Sequence, residues 1–331
     1  MQHVQLGRTG LPVSRLCLGT MTFGLQCDQV QSHAILDAAT EGGIDFLDTA
    51  DVYPLGGDAQ TVGRTEEIIG GWLKGKRHDY VLATKCVGRT GSRRWDQGMS
   101  RKHILDAIDA SLKRLGTDYV DLYQLHGYDA STPIDEALEA LDTVVRQGKA
   151  RYIGVSNWPA YKVARGLGRS ELKNLVRIDS VQPRYNLLYR EIESELLPLC
   201  RDQGLGVIAY NPLAGGFLTG RYQSLEAPPP GTRFSLGKTG ELYRDRYWQG
   251  AQLEAVQELQ KILKPRQRSL IQVAVAWVLA QPGITSAIVG ASKAEQLDES
   301  LAAVNLTLTP EEIEACNLAW FSLPRPVMPP K

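Results

Sequence analysis

Short apolar runs alternate along this chain with segments whose apolar residues recur at helical spacing. Ile104, Ile108, Leu112 and Leu115 show the helical spacing most clearly. The apolar runs predict eight buried strands, at residues 16–19, 46–49, 80–84, 120–125, 152–155, 180–182, 206–210 and 286–289. Strands that alternate with helices at intervals of roughly thirty to forty residues favour an α/β fold, and we predict a closed (β/α)8 TIM barrel rather than an open sheet.

Residues with strong positional preferences mark the ends of several predicted helices. Ser100 precedes a helix at residues 101–115, and Gly116 ends it. Pro133 opens the next helix, which closes at Gly148. These signals agree with the hydrophobic pattern and support the predicted order of elements.

Three segments lie outside this alternation. An N-terminal β-hairpin is predicted at residues 4–6 and 13–16, around the turn-like sequence GRTG. A stretch from Ala214 to about Gly250, after the seventh strand, is rich in Gly, Pro and Arg, and we expect a long loop that is either a lid or disordered. Helices at 251–263 and 269–281 follow it, and the chain ends in a capping helix at 310–320 and a proline-rich loose end. We expect one barrel domain over residues 1–331.

Composition restricts the classes of partner. Lys plus Arg equals Asp plus Glu at 37 each, and the sequence contains no sustained basic run that could bind along a phosphate backbone. We therefore expect no nucleic-acid partner. The sequence has neither a signal-peptide pattern nor a long apolar run, so we expect a cytoplasmic protein without a membrane partner. The five cysteines are scattered without metal-ligand spacing, which favours free thiols and no metal site.

Four polar residues follow neighbouring predicted strands. Asp48, Lys85 and His126 lie at the ends of the second, third and fourth strands, and Tyr53 lies in the loop after the second. Active sites of such barrels form at these strand ends, so the side chains should converge. Each residue alone has an ordinary explanation, as a turn residue, an ion-pair partner, a strand-end imidazole or a packed aromatic. Together they predict a site for proton transfer.

The chemistry of the four groups suggests carbonyl reduction. A free phenol has a pKa near ~10, and a nearby ammonium would lower that pKa, so we expect Lys85 to make Tyr53 a general acid. Asp48 would hold Lys85 and balance its charge. His126 would orient a carbonyl oxygen toward Tyr53.

These segments closely resemble the aldo-keto reductase superfamily, including its branch of potassium-channel β-subunit-like reductases. The resemblance covers nearly the whole chain, through LGRTGLPVSRLCLGTMTFG, FLDTADVY, ATK, DLYQLH, GKARYIGVSN, QPRYN, YNPLAGGFLTGRY and IVGASKAEQLDES. It implies a barrel closed by an N-terminal hairpin, with a catalytic tetrad at Asp48, Tyr53, Lys85 and His126.

The resemblance also implies NADPH bound across the barrel mouth, and no strand here is followed by a GxGxxG or Walker sequence. Ser156, Asn157 and Gln182 would bind the carboxamide, and Tyr210 would stack on the nicotinamide. Gly19, Thr20 and Met21 would line the same pocket, and Leu213 and Gly215 would approach the pyrophosphate. The other implied cofactor positions are Asp48, Asn211 and, at the adenosine end, Gly290. Many relatives have Ser where this chain has Asn211, which bears on cofactor preference.

The adenosine end of the cofactor is expected at the segment that follows the eighth strand. Ser292 and Lys293 precede a predicted helix, where a hydroxyl and an ammonium would suit the 2′-phosphate of NADPH. The alternative is a capping box between Ser292 and Glu295. Lys293 favours NADPH over NADH. The implied contacts continue at Gln296, Glu299 and Ser300, the last of which is Asn in many relatives.

Phe23, Tyr128 and Trp158 are candidates for the substrate pocket, with simple packing as the alternative. We therefore expect an NADP(H)-dependent aldo-keto reductase that reduces an aldehyde or ketone to an alcohol, reversibly. Two alternatives remain: a nucleotide-binding regulatory subunit of the potassium-channel β type, and a nicotinamide-independent enzyme with Lys85 as a Schiff-base nucleophile. The substrate is a small carbonyl compound that the sequence does not identify further, and an oligomer is possible.

Overall fold

The computed structural model describes residues 1–324, and for Lys238 it describes the backbone but not the side chain. Its strands are β1 His3–Gln5, β2 Pro12–Ser14, β3 Leu16–Gly19, β4 Phe46–Asp48, β5 Val81–Cys86, β6 Val120–Leu125, β7 Ala150–Ser156, β8 Ile178–Gln182, β9 Gly206–Tyr210 and β10 Ile284–Val289. The strands from β3 to β10 form a closed barrel of parallel neighbours, in which β10 pairs with β3. The predicted (β/α)8 barrel is confirmed.

Helices surround the barrel and connect its strands. They are α1 Gln29–Glu41, α2 Arg64–Leu73, α3 Arg101–Leu115, α4 Ile134–Arg146, α5 Ala160–Leu172, α6 Leu196–Gln203, α7 Gly237–Tyr247, α8 Gly250–Leu263, α9 Leu270–Ala280, α10 Asp298–Ala302 and α11 Pro310–Phe321. The predicted start of α3 is confirmed, because the Ser100 side chain accepts a hydrogen bond from the backbone N–H of His103. Gly116 ends this helix in a left-handed conformation, with φ of 62°.

The N-terminal hairpin closes one end of the barrel. β1 and β2 pair antiparallel, and Leu6 and Val13 pack against barrel residues that include Phe46, Leu122 and Ile208. At Gly7 a Cβ atom would lie 2.4 Å from the backbone nitrogen of Gly206, so the hairpin turn approaches β9 as closely as a glycine allows. The predicted hairpin is confirmed, and it leaves only the opposite end of the barrel open.

Residues 214–249, which we call the strap, are not a structureless loop. They contain 3₁₀ helices at Ala214–Thr219 and Arg233–Ser235 and the three-turn helix α7. Phe217, Tyr222, Phe234 and Trp248 pack together with ring centroids 4.9 to 5.9 Å apart. The expectation of a lid or a disordered loop missed α7, because this aromatic cluster comes from residues spread along the strap and shows no helical period in the sequence.

The C-terminal segment and the apolar character of the helices complete the description of the fold. The predicted C-terminal helix is present as α11, and the predicted proline-rich loose end lies outside the described residues. None of the described helices has the length and apolar character needed to cross a membrane.

Candidate active site

Asp48 and Lys85 form a buried ion pair at the open end of the barrel. Lys85 Nζ donates to Asp48 Oδ2 at 2.6 Å and to the carbonyl oxygen of Thr49 at 2.7 Å. Gln182 and Gln124 donate to the other carboxylate oxygen at 2.8 and 3.2 Å. The carboxylate thus accepts from three side chains, and this full set of partners is what a buried charge requires. Lys85 lies within β5 rather than beyond its end, since the strand runs to Cys86.

Tyr53 and His126 lie next to this pair. Lys85 Nζ is 5.0 Å from the centroid of the Tyr53 ring. The Tyr53 and His126 rings meet edge to face, with centroids 5.7 Å apart. The structure therefore brings together all four residues that the sequence singled out.

The protonation state of the phenol differs from our expectation. Burial raises the pKa of Tyr53, and the Lys85 ammonium lowers it by less, so the net direction is upward. The expected net lowering of this pKa is wrong, although Lys85 acts in the expected direction. Tyr53 is a neutral phenol at neutral pH, which is the form that carries a proton to donate.

Burial and the positive charge of Lys85 lower the pKa of His126 to about 3. The imidazole is therefore neutral at physiological pH. It can donate a hydrogen bond from one ring nitrogen, but it has no additional proton to give as a general acid. Burial also acts to lower the pKa of Lys85, but the Asp48 carboxylate and Tyr53 outweigh it, and the net direction is upward. Lys85 is consequently a stable ammonium.

A cavity of about 530 Å³ opens above these side chains. Tyr53 and His126 line it, whereas Lys85 lies beneath the surface with none of its area exposed. Of the residues expected around the cofactor, those that line this cavity are Gly19, Thr20, Met21, Asp48, Ser156, Asn157, Gln182, Tyr210, Asn211, Leu213, Gly215, Gly290, Ser292, Gln296 and Glu299. The cavity therefore extends from the reacting groups to the segment after β10.

Two side chains expected at the adenosine end do not line the cavity. Lys293 is exposed to solvent, and Ser300 is buried. The predicted helix begins as a short 3₁₀ turn, Ala294–Leu297, so the argument from a helix N-terminus does not apply. The predicted capping box between Ser292 and Glu295 is wrong, because Ser292 donates from its backbone and hydroxyl to Gln296 Oε1 instead, at 2.9 and 3.2 Å.

The three aromatic residues suggested for the substrate pocket also lie away from the cavity wall. Phe23 is fully buried in the core. Trp158 is 4% exposed, donates to the carbonyl oxygen of Gly127 at 3.1 Å and packs edge to face against Tyr128. Their positions fit the packing alternative.

Hydrogen bonds fix the cavity wall around Tyr210. Its hydroxyl donates to Asn157 Oδ1 at 2.8 Å, and Asn157 Nδ2 donates to the carbonyl oxygen of His126 at 3.1 Å. Asn211 has a positive φ of 68°, and its Oδ1 accepts from the backbone N–H of Gly215 at 2.8 Å. The side chain of Asn211 thus holds the turn at the start of the strap.

The strap covers the cavity and supplies residues that the sequence analysis missed. Gln26, from the loop after β3, donates to the carbonyl oxygen of Gly231 at 3.3 Å. Arg221, Arg233, Tyr243 and Arg246 of the strap line the cavity. Within the described residues, none of these three arginines forms an ion pair. The arginine content of the strap was the only signal in the sequence.

Gln124 is a second omission, deep in the site. It precedes His126 by two residues, so the alternation along β6 carries it to the barrel interior, where it contacts Asp48. That alternation in VDLYQLH was available from the sequence.

The lining suits an extended ligand that carries amides and phosphates. Amide side chains line the cavity together with Tyr53, and guanidinium groups that form no ion pair among the described residues line it from the strap. A Cβ atom at Gly215 would lie 2.6 Å from the Tyr243 ring, so this turn and the strap helix pack in direct contact beside the cavity. A dinucleotide has the matching sequence of groups. In the described part of the chain, no cluster of His, Cys, Asp and Glu has the arrangement of a metal site.

Comparisons with known proteins agree with this architecture. A family model described as "Aldo/keto reductase family" matches residues 15–320. "Uncharacterized oxidoreductase YrpG" of Bacillus subtilis (strain 168) is 40% identical, over 96% of this chain and 95% of its own length. "Probable voltage-gated potassium channel subunit beta" of Oryza sativa subsp. japonica is 38% identical, over 98% of each chain. "Protein tas" of Escherichia coli (strain K12) is 36% identical, over 97% of this chain and 99% of its own length.

Proposed function

This chain belongs to the aldo/keto reductase family and is an oxidoreductase, and we propose that it reduces an aldehyde or ketone to the alcohol with NADPH, reversibly. The observation that carries the proposal is the contact of a neutral phenol, a neutral imidazole and a buried Lys–Asp pair on the floor of one cavity. Bound NADPH would supply a hydride to the carbonyl carbon.

The protein's own part of the reaction is to hold the carbonyl oxygen and give it a proton. Tyr53 donates that proton from its hydroxyl. Lys85 stabilises the phenolate that remains, because its ammonium lies beside the ring and is fixed by Asp48. His126, as a neutral imidazole, donates a hydrogen bond that orients the carbonyl oxygen.

The cofactor is assigned to the rest of the cavity. Ser156, Asn157 and Gln182 would hold the carboxamide, and Tyr210 would lie against the nicotinamide ring. Arg221 and Arg233 of the strap, together with Ser292 and Gln296, would bind the phosphates through charge-assisted hydrogen bonds. Arg221 and Arg233, which form no ion pair among the described residues, favour NADPH, which carries an additional phosphate, over NADH.

The test is steady-state oxidation of NADPH by the purified protein in the presence of a panel of aldehydes and ketones. We expect several turnovers per second with at least one simple aldehyde, and a dissociation constant at least ten-fold lower for NADPH than for NADH. Failure of every carbonyl compound, with NADPH tightly bound, would contradict the proposal.

A regulatory role is a second candidate, because some relatives are described as probable potassium channel β-subunits. Such a protein would bind NADPH and a channel while turning over slowly. Steady turnover of a simple aldehyde at several per second counts against it.

The geometry disfavours Schiff-base chemistry. Lys85 is fully buried and held as an ammonium by Asp48, whereas a Schiff base requires a neutral amine with access to the substrate. Borohydride treatment in the presence of a carbonyl substrate is therefore expected to trap no adduct on Lys85.

A further inference from the structure

Arg246 is a cation at the reacting end of the cavity that the proposed reaction does not use. It lies on α7 three residues after Tyr243, so both side chains share one face of the helix, and both line the cavity. The Arg246 guanidinium carbon is 6.0 Å from the centroid of the Tyr243 ring. The same helix packs against the loop that carries Tyr53, since a Cβ atom at Gly56 would lie 3.3 Å from Oγ1 of Thr239, one turn before Tyr243.

The second wall next to Arg246 is Tyr210. Burial raises the pKa of Tyr210, and the positive charges of Arg246 and Arg184 act against that rise. The hydroxyl of Tyr210 bonds to Asn157, which in turn bonds to the backbone of His126. Tyr247, the residue after Arg246, accepts a hydrogen bond from Asn211 Nδ2 at 3.2 Å, so this end of α7 lies beside Tyr210 and Asn211.

The guanidinium of Arg246 has no partner within the described residues, either in an ion pair or in a hydrogen bond, although the side chain is only partly exposed. Arg244, two residues earlier on α7, differs because its guanidinium donates to the carbonyl oxygen of Phe234. The carboxylate of Asp48 on the cavity floor is already neutralised by Lys85. Arg184, the other cation near Tyr210, lies over the Tyr189 ring, with its guanidinium carbon 3.3 Å from the ring centroid. An unpaired, partly buried guanidinium is suited to bidentate binding of a planar oxyanion.

We propose that Arg246 binds a carboxylate of the substrate, so that the preferred substrates are aldehydes or ketones with an anionic group a few bonds from the carbonyl. This inference rests on the proposed carbonyl reduction at Tyr53. A cofactor phosphate is the other source of the same chemistry. We favour the substrate because Arg221 and Arg233 are available for the phosphates, whereas Arg246 lines the cavity from α7, which packs against the loop that carries Tyr53.

The experiment compares two aldehydes of nearly equal size, 4-formylbenzoate and its neutral methyl ester. We expect kcat/KM of the natural protein to favour the carboxylate at least ten-fold. Arg246→Gln should reduce that ratio at least ten-fold, Arg246→Lys should restore part of it, and the control Arg244→Gln should leave the ratio as it was. Equal ratios in the natural protein and Arg246→Gln would overturn the inference.

A binding measurement separates the two oxyanion sources and does not require turnover. The alcohol product 4-(hydroxymethyl)benzoate is titrated calorimetrically into protein saturated with NADP⁺, and NADPH is titrated separately. We expect Arg246→Gln to weaken product binding about ten-fold or more and to change the NADPH dissociation constant less than three-fold. The opposite result assigns Arg246 to the cofactor and overturns the inference. If neither aldehyde is reduced while the product still binds through Arg246, the proposed function fails and the carboxylate site stands.

Discussion

The floor of the cavity, formed by Asp48, Tyr53, Lys85 and His126, and the strap above it handle charge in opposite ways. On the floor, every charge has its partner within the protein, since Lys85 and Asp48 neutralise each other. On the strap, Arg221, Arg233 and Arg246 line the cavity without ion pairs among the described residues. On the proposed function, the floor is preorganised for the reaction, and the strap is complementary to the anionic groups of the cofactor and substrate.

The contrast leads to a division of labour that mutations can test. Changes on the floor should alter the rate of the chemical step, or the stability of the fold, and leave cofactor affinity nearly unchanged. Changes on the strap should alter the affinity for ligands.

The largest effect is expected for Tyr53→Phe. The variant keeps the ring and its packing but loses the proton, and a positioned general acid contributes roughly 10²- to 10⁴-fold to the rate. Turnover measured at saturating NADPH and aldehyde should fall by that factor. A decrease below five-fold would remove Tyr53 from its proposed role.

Breaking the ion pair should mainly affect stability. Lys85→Met leaves the Asp48 carboxylate buried without its cation, which typically costs about 3–5 kcal/mol in the free energy of unfolding. The double variant Asp48→Asn/Lys85→Met should recover at least half of this loss while it remains inactive. Urea unfolding measures the free energy of unfolding of the single and double variants. If the losses in the double variant were additive, the two residues would not be coupled.

A strap variant should instead weaken cofactor binding. Arg221→Gln and Arg233→Gln each remove one charge-assisted hydrogen bond, which is worth about 1.5–3 kcal/mol. The NADPH dissociation constant should rise roughly ten- to one-hundred-fold, with a smaller effect on NADH. Fluorescence titration of the protein's tryptophans measures this. An equal change for both nucleotides would place these arginines away from the additional phosphate of NADPH.

Asp51, on the loop that follows β4, is an exception that sharpens the comparison. It is fully buried, and neither carboxylate oxygen has a hydrogen-bond partner in the described structure. Burial and the nearby Glu66 carboxylate raise the pKa of Asp51 well above its ordinary value. An acid whose pKa is higher in the folded state destabilises the protein increasingly as pH rises above its unfolded value near ~4.

Asp51→Asn should therefore stabilise the protein at pH ~7 by about 1–3 kcal/mol, because the carboxyl must take up a proton when the chain folds and the amide need not. The gain should shrink as pH falls toward ~4, where the unfolded carboxyl is protonated as well. Urea unfolding at the two pH values checks this. A stabilisation that does not depend on pH would contradict the assigned protonation state.

The smallest expected effect is that of pH on kcat/KM, which should be nearly constant. Because the pKa of His126 is lowered to about 3, the imidazole does not titrate in the physiological range. With a neutral aldehyde, kcat/KM should change less than two-fold between pH ~5 and ~8, whereas an ordinary histidine would give an inflection near ~6.5. An inflection there that is lost in His126→Gln would show that the imidazole is charged during catalysis.

The floor was predictable from the sequence and the strap was not, for a physical reason. Parallel strands carry continuous apolar runs, so a polar residue where a run stops, such as Asp48 or His126, stands out. Closure of the barrel then brings these strand ends together.

The direction of the pKa shift of Tyr53 did not follow in the same way, because burial depends on the whole surrounding wall. In the strap, the helix α7 and the position of Arg246 depend on contacts with aromatic residues distant in sequence. Lys293 was expected at the cofactor from its neighbours in sequence, yet its side chain points to solvent.

One single-turnover measurement tests the division between floor and strap most directly. Stopped-flow oxidation of bound NADPH, at saturating NADPH and aldehyde, is compared in the natural protein, Tyr53→Phe and Arg233→Gln. Our account predicts a rate constant at least 10²-fold lower for Tyr53→Phe and within about three-fold of the natural value for Arg233→Gln. A natural rate constant in Tyr53→Phe, or equal slowing of both variants, would contradict it.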